Sequence, residues 1–319
     1  NMENTFENWA TIIAFDSPFG EKGRVNFSKR VYSYCKKVKP DIVCYSDLLV
    51  GIPYCYENSF AIQHGIAWDN PNNKMKNIYK SYLYIKAIRK FKRIICVDTN
   101  FINWVRERDK KYFRNPEKLI YIPNYADEEQ FAYSYKEWKK TDKFVLLYPR
   151  RLVPHRGFDI FMGMCEELLR KGYNIEPLLA IEDFKNTEFK SAYPQYSKMN
   201  CRIVHPQMDQ IQKYYQEAYL TFIPSKWSEG TSLSAIEAMS TGCPVIASDV
   251  GGLGNIILPG FNGYIIPPSI DEFVAKTEEL LNNVEKRNEL SRNCRLMNQI
   301  FGKRRWEEQI LKAISFLIN

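Results

Sequence analysis

Short apolar runs alternate with longer amphipathic stretches along nearly the whole chain, and no other property restricts the fold as much. A strand buried on both faces reads as an unbroken run of Val, Ile and Leu. A covering helix reads as an apolar period near 3.6. Their alternation therefore requires parallel sheets with helices on both faces. Strands are predicted at 9–15, 41–45, 59–63, 93–97 and 119–123, and in a second series at 143–149, 175–181, 201–204, 219–224, 244–248 and 263–267. Helices are predicted at 24–38, 74–91, 100–112, 157–171, 208–217, 231–241, 270–283 and 302–317. The stretch 124–142 between the two series is polar, charged and without a sustained period, so the domain boundary is placed there. A chain of 319 residues suits two domains better than one core. Two doubly wound α/β sheets facing across a cleft offer ligands the loops at the carboxyl ends of their strands.

With 45% hydrophobic and 26% charged residues, the composition excludes a disordered tail. No apolar run approaches the roughly 20 residues that span a bilayer, and the N-terminus lacks the order of a signal peptide. The expectation is a soluble, cytoplasmic chain. Its eight cysteines are scattered without CxxC pairs, several inside strand-like runs, and read as reduced core residues. The formal charge of +8 points to an anionic partner without choosing among nucleotide, nucleic acid and membrane surface.

The segment with most chemical content follows the strand YLTFIP and reads SKWSEGTSLSAIEAMSTGCPVIASDVGG. Gly230, Thr231 and Ser232 are small residues opening a helix, whose first N–H groups and positive dipole end suit phosphate oxygens. Glu229 precedes the helix and Glu237 lies eight residues on, roughly 12 Å along its axis. Two carboxylates so spaced can take the hydroxyls of one elongated ligand. The plainer alternative is a capping Glu229 and a solvated Glu237, and the residues alone leave both readings open. A second loop, PRRLVPHRGFD (149–159), brings Arg151 and Arg156 to the end of the first strand of the second series. In the first half, SFAIQHGIAWDNP puts His64 and Gly65 just past a strand, where a histidine can orient a ligand or handle a proton. Asp16, Asp47 and Asp69 also follow strand-like runs, and each suits a cap or turn equally well.

The segment from Glu229 to Glu237, with the following GCPVIASDVGG and NGYIIPP, strongly resembles the signature of retaining, family 4-like glycosyltransferases (glycosyl transferases group 1). The resemblance covers the second half of the chain and weaker landmarks in the first. It implies a GT-B fold: two Rossmann-like domains at 1–127 and 143–301, a linker at 128–142, and a terminal helix at 302–319 crossing back to the first domain. It implies transfer of a sugar from a UDP- or GDP-sugar to a hydroxyl on a glycan, lipid-linked or protein acceptor, with retention. Glu237 would bind ribose hydroxyls and Glu229 donor-sugar hydroxyls, while the N–H groups of Thr231, Ser232 and Leu233, after Gly230, would contact the diphosphate. Arg151, Arg156 and the helix N-terminus would stabilise the leaving group, and His64 would face the reaction centre. No cofactor or metal is expected: no DxD triplet occurs, and the three histidines are dispersed.

The chain departs from the family pattern where Arg156 replaces a lysine, Arg150 a glycine and Asn255 the glutamate of GGxxE. The first domain also reads as short, with SPFGEKG (17–23) its nearest match to the acceptor-side glycine loop. No acceptor residues are assigned. Residues 70–97 hold eight Lys or Arg and no Glu or Asp, so the basic, aromatic stretch 74–93 suits an anionic membrane at the inner face of the cell membrane. Nucleic acid would explain the charge but not the paired glutamates and is not expected. The alternatives are a non-catalytic partner subunit that binds a nucleotide-sugar, and an epimerase or hydrolase of the same fold.

Overall fold

The computed structural model describes residues 21–109, 115–181, 193–196, 199–227 and 229–318. The strand expected at 9–15, Asp16 and the first four residues of the loop at 17–23 lie outside them. Glu21–Val38 forms helix α1. Strands β1 (Val43–Tyr45), β2 (Ser59–Gln63), β3 (Arg93–Cys96) and β4 (Leu119–Tyr121) pair in parallel in that order. Helices α2 (Lys74–Ile88) and α3 (Thr99–Arg108) make the crossovers between β2, β3 and β4 that parallel pairing demands.

The second sheet holds β5 (Phe144–Tyr148), β6 (Ile175–Ala180), β7 (Arg202–Val204), β8 (Leu220–Ile223), β9 (Val245–Ser248) and β10 (Gly263–Ile266), all parallel, in the order β10-β9-β8-β5-β6-β7. Its helices are α4 (Phe158–Arg170), α5 (Ile211–Glu217), α6 (Leu233–Ser240), α7 (Ile270–Asn282), α8 (Val284–Cys294) and α9 (Met297–Phe301). In β5 the two-residue period sends Phe144, Leu146 and Tyr148 into one core and Val145 and Leu147 into the other. That double burial is why the strand reads as a continuous apolar run. The strand order reverses between β5 and β8, and this switch point opens a crevice at the carboxyl ends of those two strands.

Among the described residues, two helices were not foreseen, α8 and α9. The buried face of α8 carries Arg287, Asn288 and Ser291 beside Leu290 and Cys294, so it has no apolar period to read. The Arg287 guanidinium donates to the carbonyls of Tyr219 (2.8 Å) and Ala218 (3.3 Å), and Asn288 exchanges hydrogen bonds with the backbone of Trp138. The last helix, α10 (Lys303–Ile318), returns to the first sheet, where Ala313, Ile314 and Leu317 pack on Phe60 and Ile95. Burial of each of the two larger side chains contributes about 2 kcal/mol. Ala126, beyond β4, and Gly302, just before α10, form an isolated parallel bridge.

Candidate functional site

The loop after β5 turns through Pro154–Arg156 to Gly157, whose φ is 70°. A Cβ at Gly157 would stand 1.8 Å from the carbonyl oxygen of Pro224, so only glycine lets this loop lie against the exit of β8. The contact brings the arginines of one loop to the glutamate of the other. Arg150 donates to Glu229 Oε2 at 2.6 Å and to Ser232 Oγ at 2.8 Å. Arg156 donates to the same carboxylate oxygen, and so does the Ser225 hydroxyl at 2.6 Å. Glu229 is only 5% exposed. Burial alone would raise its pKa, but the two guanidinium charges and the Ser225 hydrogen bond outweigh that, and the carboxyl is held below its ordinary range. Its Oε1 accepts no hydrogen bond from the described residues.

This arrangement redistributes the cations anticipated from sequence. Arg156 joins Glu229, but its companion is Arg150, at the position where the resembling family has glycine. Arg151, the next residue, is exposed on the cavity wall. Successive residues leaving a strand point to opposite sides, so the two neighbours cannot both face Glu229.

Helix α6 starts at Leu233, two residues later than predicted, because the residues before it serve the contact between domains. Ser232 is extended at φ −64° and ψ 117°, the Thr231 hydroxyl donates to the Val97 carbonyl, and Asn124 donates to the Thr231 carbonyl at 2.8 Å. A Cβ on Gly230 would meet the His64 carbonyl oxygen at 2.7 Å. Leu233 is exposed, and the first N–H groups of α6 have no acceptor one turn earlier. Farther along α6, Glu237 accepts from the Tyr215 hydroxyl at 2.9 Å, and burial raises its pKa.

A cavity of about 500 Å³ gathers these groups. His64, Arg150, Arg151, Arg156, Glu229 and Glu237 all line it, together with the opening of α6 from Gly230 to Leu233. His64 is open to the cavity, yet partial burial lowers its pKa against the opposing charge of Asp47. Pro206 and Gln207 line the end beyond β7, whereas His205 bonds the Ile181 carbonyl through Nδ1 at 2.8 Å. Asp47 caps the turn at Leu48–Gly51, accepting from the Leu49 N–H.

Three participants in the site region escaped sequence reading. Arg150 reads as a lost glycine, and Tyr215 as one more core aromatic. Asp98, buried at the start of α3, caps the Phe101 N–H through Oδ1 at 2.8 Å while Oδ2 has no partner among the described residues. Desolvation raises its pKa to about 6. Its position directly after the apolar run RIICV was the available signal. Asn255 exchanges two hydrogen bonds with Thr99, at 2.9 and 2.8 Å, so the departure from GGxxE serves the contact between the two sheets. Among the described residues, no group of three His, Cys, Asp or Glu stands where it could hold a metal ion.

The family model described as glycosyl transferases group 1 matches residues 130–297, from the linker to α9. The chain belongs to this family. Within it, the chain is 26% identical over 239 residues to an uncharacterized glycosyltransferase of Methanocaldococcus jannaschii, covering 74% of this chain and 62% of that protein. It is 24% identical over 266 residues to the UDP-Gal:alpha-D-GlcNAc-diphosphoundecaprenol alpha-1,3-galactosyltransferase of Escherichia coli, covering 77% and 65%. The chain thus spans less than two thirds of the length of these curated relatives. HepE of Anabaena, solved in complex with UDP-glucose, superposes with a TM-score of 0.73 at 17% identity, over 90% of this chain and 81% of that one. That likeness is one of fold, and the fold is GT-B.

Proposed function

We propose that this chain transfers a sugar from a nucleoside diphosphate donor to a hydroxyl acceptor, with retention at the anomeric carbon. One observation carries the reading: a single cavity joins two guanidinium groups, the N-terminus of α6 and the carboxylates of Glu229 and Glu237. The diphosphate sits between Arg150, Arg156 and the first N–H groups of α6, with Arg151 at the rim. These groups stabilise the charge that develops as the sugar–phosphate bond breaks. Glu229 keeps its pairing oxygen on the arginines and offers Oε1 to a donor-sugar hydroxyl. Glu237, steadied by Tyr215, takes the ribose hydroxyls, and the base lies toward Pro206 and Gln207. His64 approaches the sugar from the first domain, in a largely neutral form that can accept a proton. The chemistry assigned here uses the chain's own groups and needs no cofactor.

The acceptor is a glycan or a lipid-linked saccharide, a reading supported by the acceptor named for the E. coli relative. The exposed face of α2 supports peripheral attachment to an anionic membrane, for Met75, Ile78, Tyr79 and Tyr82 are 51 to 80% exposed among lysines. Among the described residues no helix is long and apolar enough to cross a membrane.

Calorimetric titration with UDP, GDP, ADP and CMP, followed by mass spectrometry of donor turnover, tests the proposal. At least one nucleoside diphosphate binds, and Glu237→Ala weakens it about tenfold, a loss of roughly 1.4 kcal/mol. Glu229→Gln leaves nucleotide binding within about twofold and removes turnover of the nucleotide-sugar. Unchanged binding and turnover in both variants would overturn the assignment. Nucleotide binding with no transfer to any acceptor would instead favour a binding subunit.

A further inference from the structure

The end of the cavity beyond β7 is walled by two stretches of chain that lie outside the sheet. One is the loop from His205 to Gln210, which follows β7, the edge strand of the second sheet, none of whose three residues is fully buried. Pro206, Gln207 and Met208 of this loop line the cavity, and Met208 is 90% exposed. The other is the linker turn from Asp127 to Phe131, closed by the Phe131 N–H on the Asp127 carbonyl at 2.8 Å. Gln130 and Phe131 line the cavity from that side. The two walls are tied together, for the Gln130 side-chain amide donates to the Met208 carbonyl, 78 positions along the chain.

The linker turn is firmly seated, so the tie has an anchor. Asp127 Oδ1 accepts from the Glu129 N–H at 3.1 Å, and Asp127 Oδ2 pairs with Lys303 at 3.2 Å. Glu128 accepts from the backbone N–H groups of Lys303 and Arg304, at 2.9 and 3.3 Å, and so satisfies the start of α10. At the other end of the turn Phe131 is buried and packs on Tyr215, with ring centroids 6.3 Å apart, and Tyr215 holds Glu237. Neighbouring residues thus fix opposite sides of the same cavity end: Gln130 the Met208 loop, Phe131 the ring behind Glu237. An exposed thioether on a polar cavity wall offers a soft, adaptable surface to a flat ring. A loop tied down before the ring arrives need not be ordered at the expense of binding.

We propose that Gln130 is a positioning residue for the donor's base, and that it acts by pinning the loop after β7 so that Met208 covers a face of the ring. The inference rests on the donor reading, which it deepens by naming what holds the base. Gln130 acts through the Met208 carbonyl, and the Met208 side chain makes the contact. The diphosphate lies at the far end, on Arg150, Arg156 and the opening of α6, beyond the reach of this tie.

The test uses the full chain labelled with ¹³C at the methionine methyls and titrated with UDP, GDP, ADP and inorganic pyrophosphate, with affinities from calorimetry. The Met208 methyl resonance is assigned from Met208→Leu. The tightest-binding of the three nucleotides should move it upfield, as a ring face does, whereas pyrophosphate should leave it in place. Gln130→Ala should weaken that nucleotide about fivefold and at least halve the methyl shift at saturation, with the thermal midpoint unchanged. Gln130→Glu keeps the length but has no N–H to give, so it should match Gln130→Ala. A Met208 methyl that stays still while a nucleotide binds would overturn the inference and spare the donor reading. Unchanged nucleotide affinity in both Gln130 variants, or pyrophosphate affinity falling in step with it, would overturn it too. Failure of all three nucleotides to bind the parent chain would instead strike the donor reading, and this inference with it.

Discussion

Glu229 and Asp98 are both buried on opposite sides of the domain seam, and the chain treats their charges in opposite ways. Glu229 receives two guanidinium groups and a hydroxyl on one oxygen, so its ionised form is favoured despite burial. Asp98 has a backbone N–H on one oxygen and no partner for the other among the described residues, so burial prevails and its pKa rises to about 6. The second domain thus holds a charge by surrounding it. The first holds a carboxyl that resists charging and faces glycines: a Cβ on Gly65 would meet its Oδ2 at 2.9 Å. Compensation, more than depth of burial, decides which carboxylate is ready to meet an anionic ligand's counter-charges.

The largest expected effect comes from removing the compensated acid. Glu229→Ala strands Arg150 and Arg156 together in a poorly solvated site and should cost about 3–5 kcal/mol in urea unfolding. A loss below about 1 kcal/mol would mean that solvent screens the cluster and that the contrast with Asp98 is false. Acid should act in the same direction. A depressed carboxyl stabilises the fold above its ordinary range and loses that contribution as pH falls through the folded value.

Asp98 should behave in reverse. With a pKa raised from 3.8 to about 6, it binds its proton more tightly folded than unfolded, so stability falls as pH rises through that window. The full penalty above it is roughly 3 kcal/mol. Asp98→Asn keeps an oxygen for the Phe101 N–H and removes the charge. Its unfolding free energy should exceed that of the parent by about 2 kcal/mol at pH 8, with the gap closing near pH 4. A gap independent of pH would show that Asp98 is solvated.

The smallest effects separate two adjacent arginines. Arg150→Gly, which installs the residue of the resembling family, removes the bonds to Glu229 and Ser232 and should destabilise by about 2 kcal/mol. Arg151→Ala, at an exposed position, should cost under about 0.5 kcal/mol while lowering donor turnover if the rim contact operates. Equal losses of stability would break the distinction that the structure draws between them.

The predicted strands that fall in described residues match β1–β10 to within a residue or two at each end, because doubly buried parallel strands announce themselves as apolar runs. The segment from Glu229 to Glu237 was legible for a different reason. Its small residues, glutamates and helix onset lie within one stretch of chain, so spacing alone relates them. Partners distant along the chain had no such signal. That Arg150 rather than Arg151 meets Glu229 depends on which way a strand end faces, 79 positions away. That α8 buries Arg287 depends on two carbonyls left open by the chain entering β8. That the Thr231 hydroxyl reaches the Val97 carbonyl depends on loops from two different sheets meeting. By itself the sequence determined the parallel α/β layering and the local chemistry of one strand-to-helix turn, since both are set by periodicity and near neighbours. Tertiary structure alone decided which charges are compensated and where the cleft stays open, since those depend on how two sheets meet.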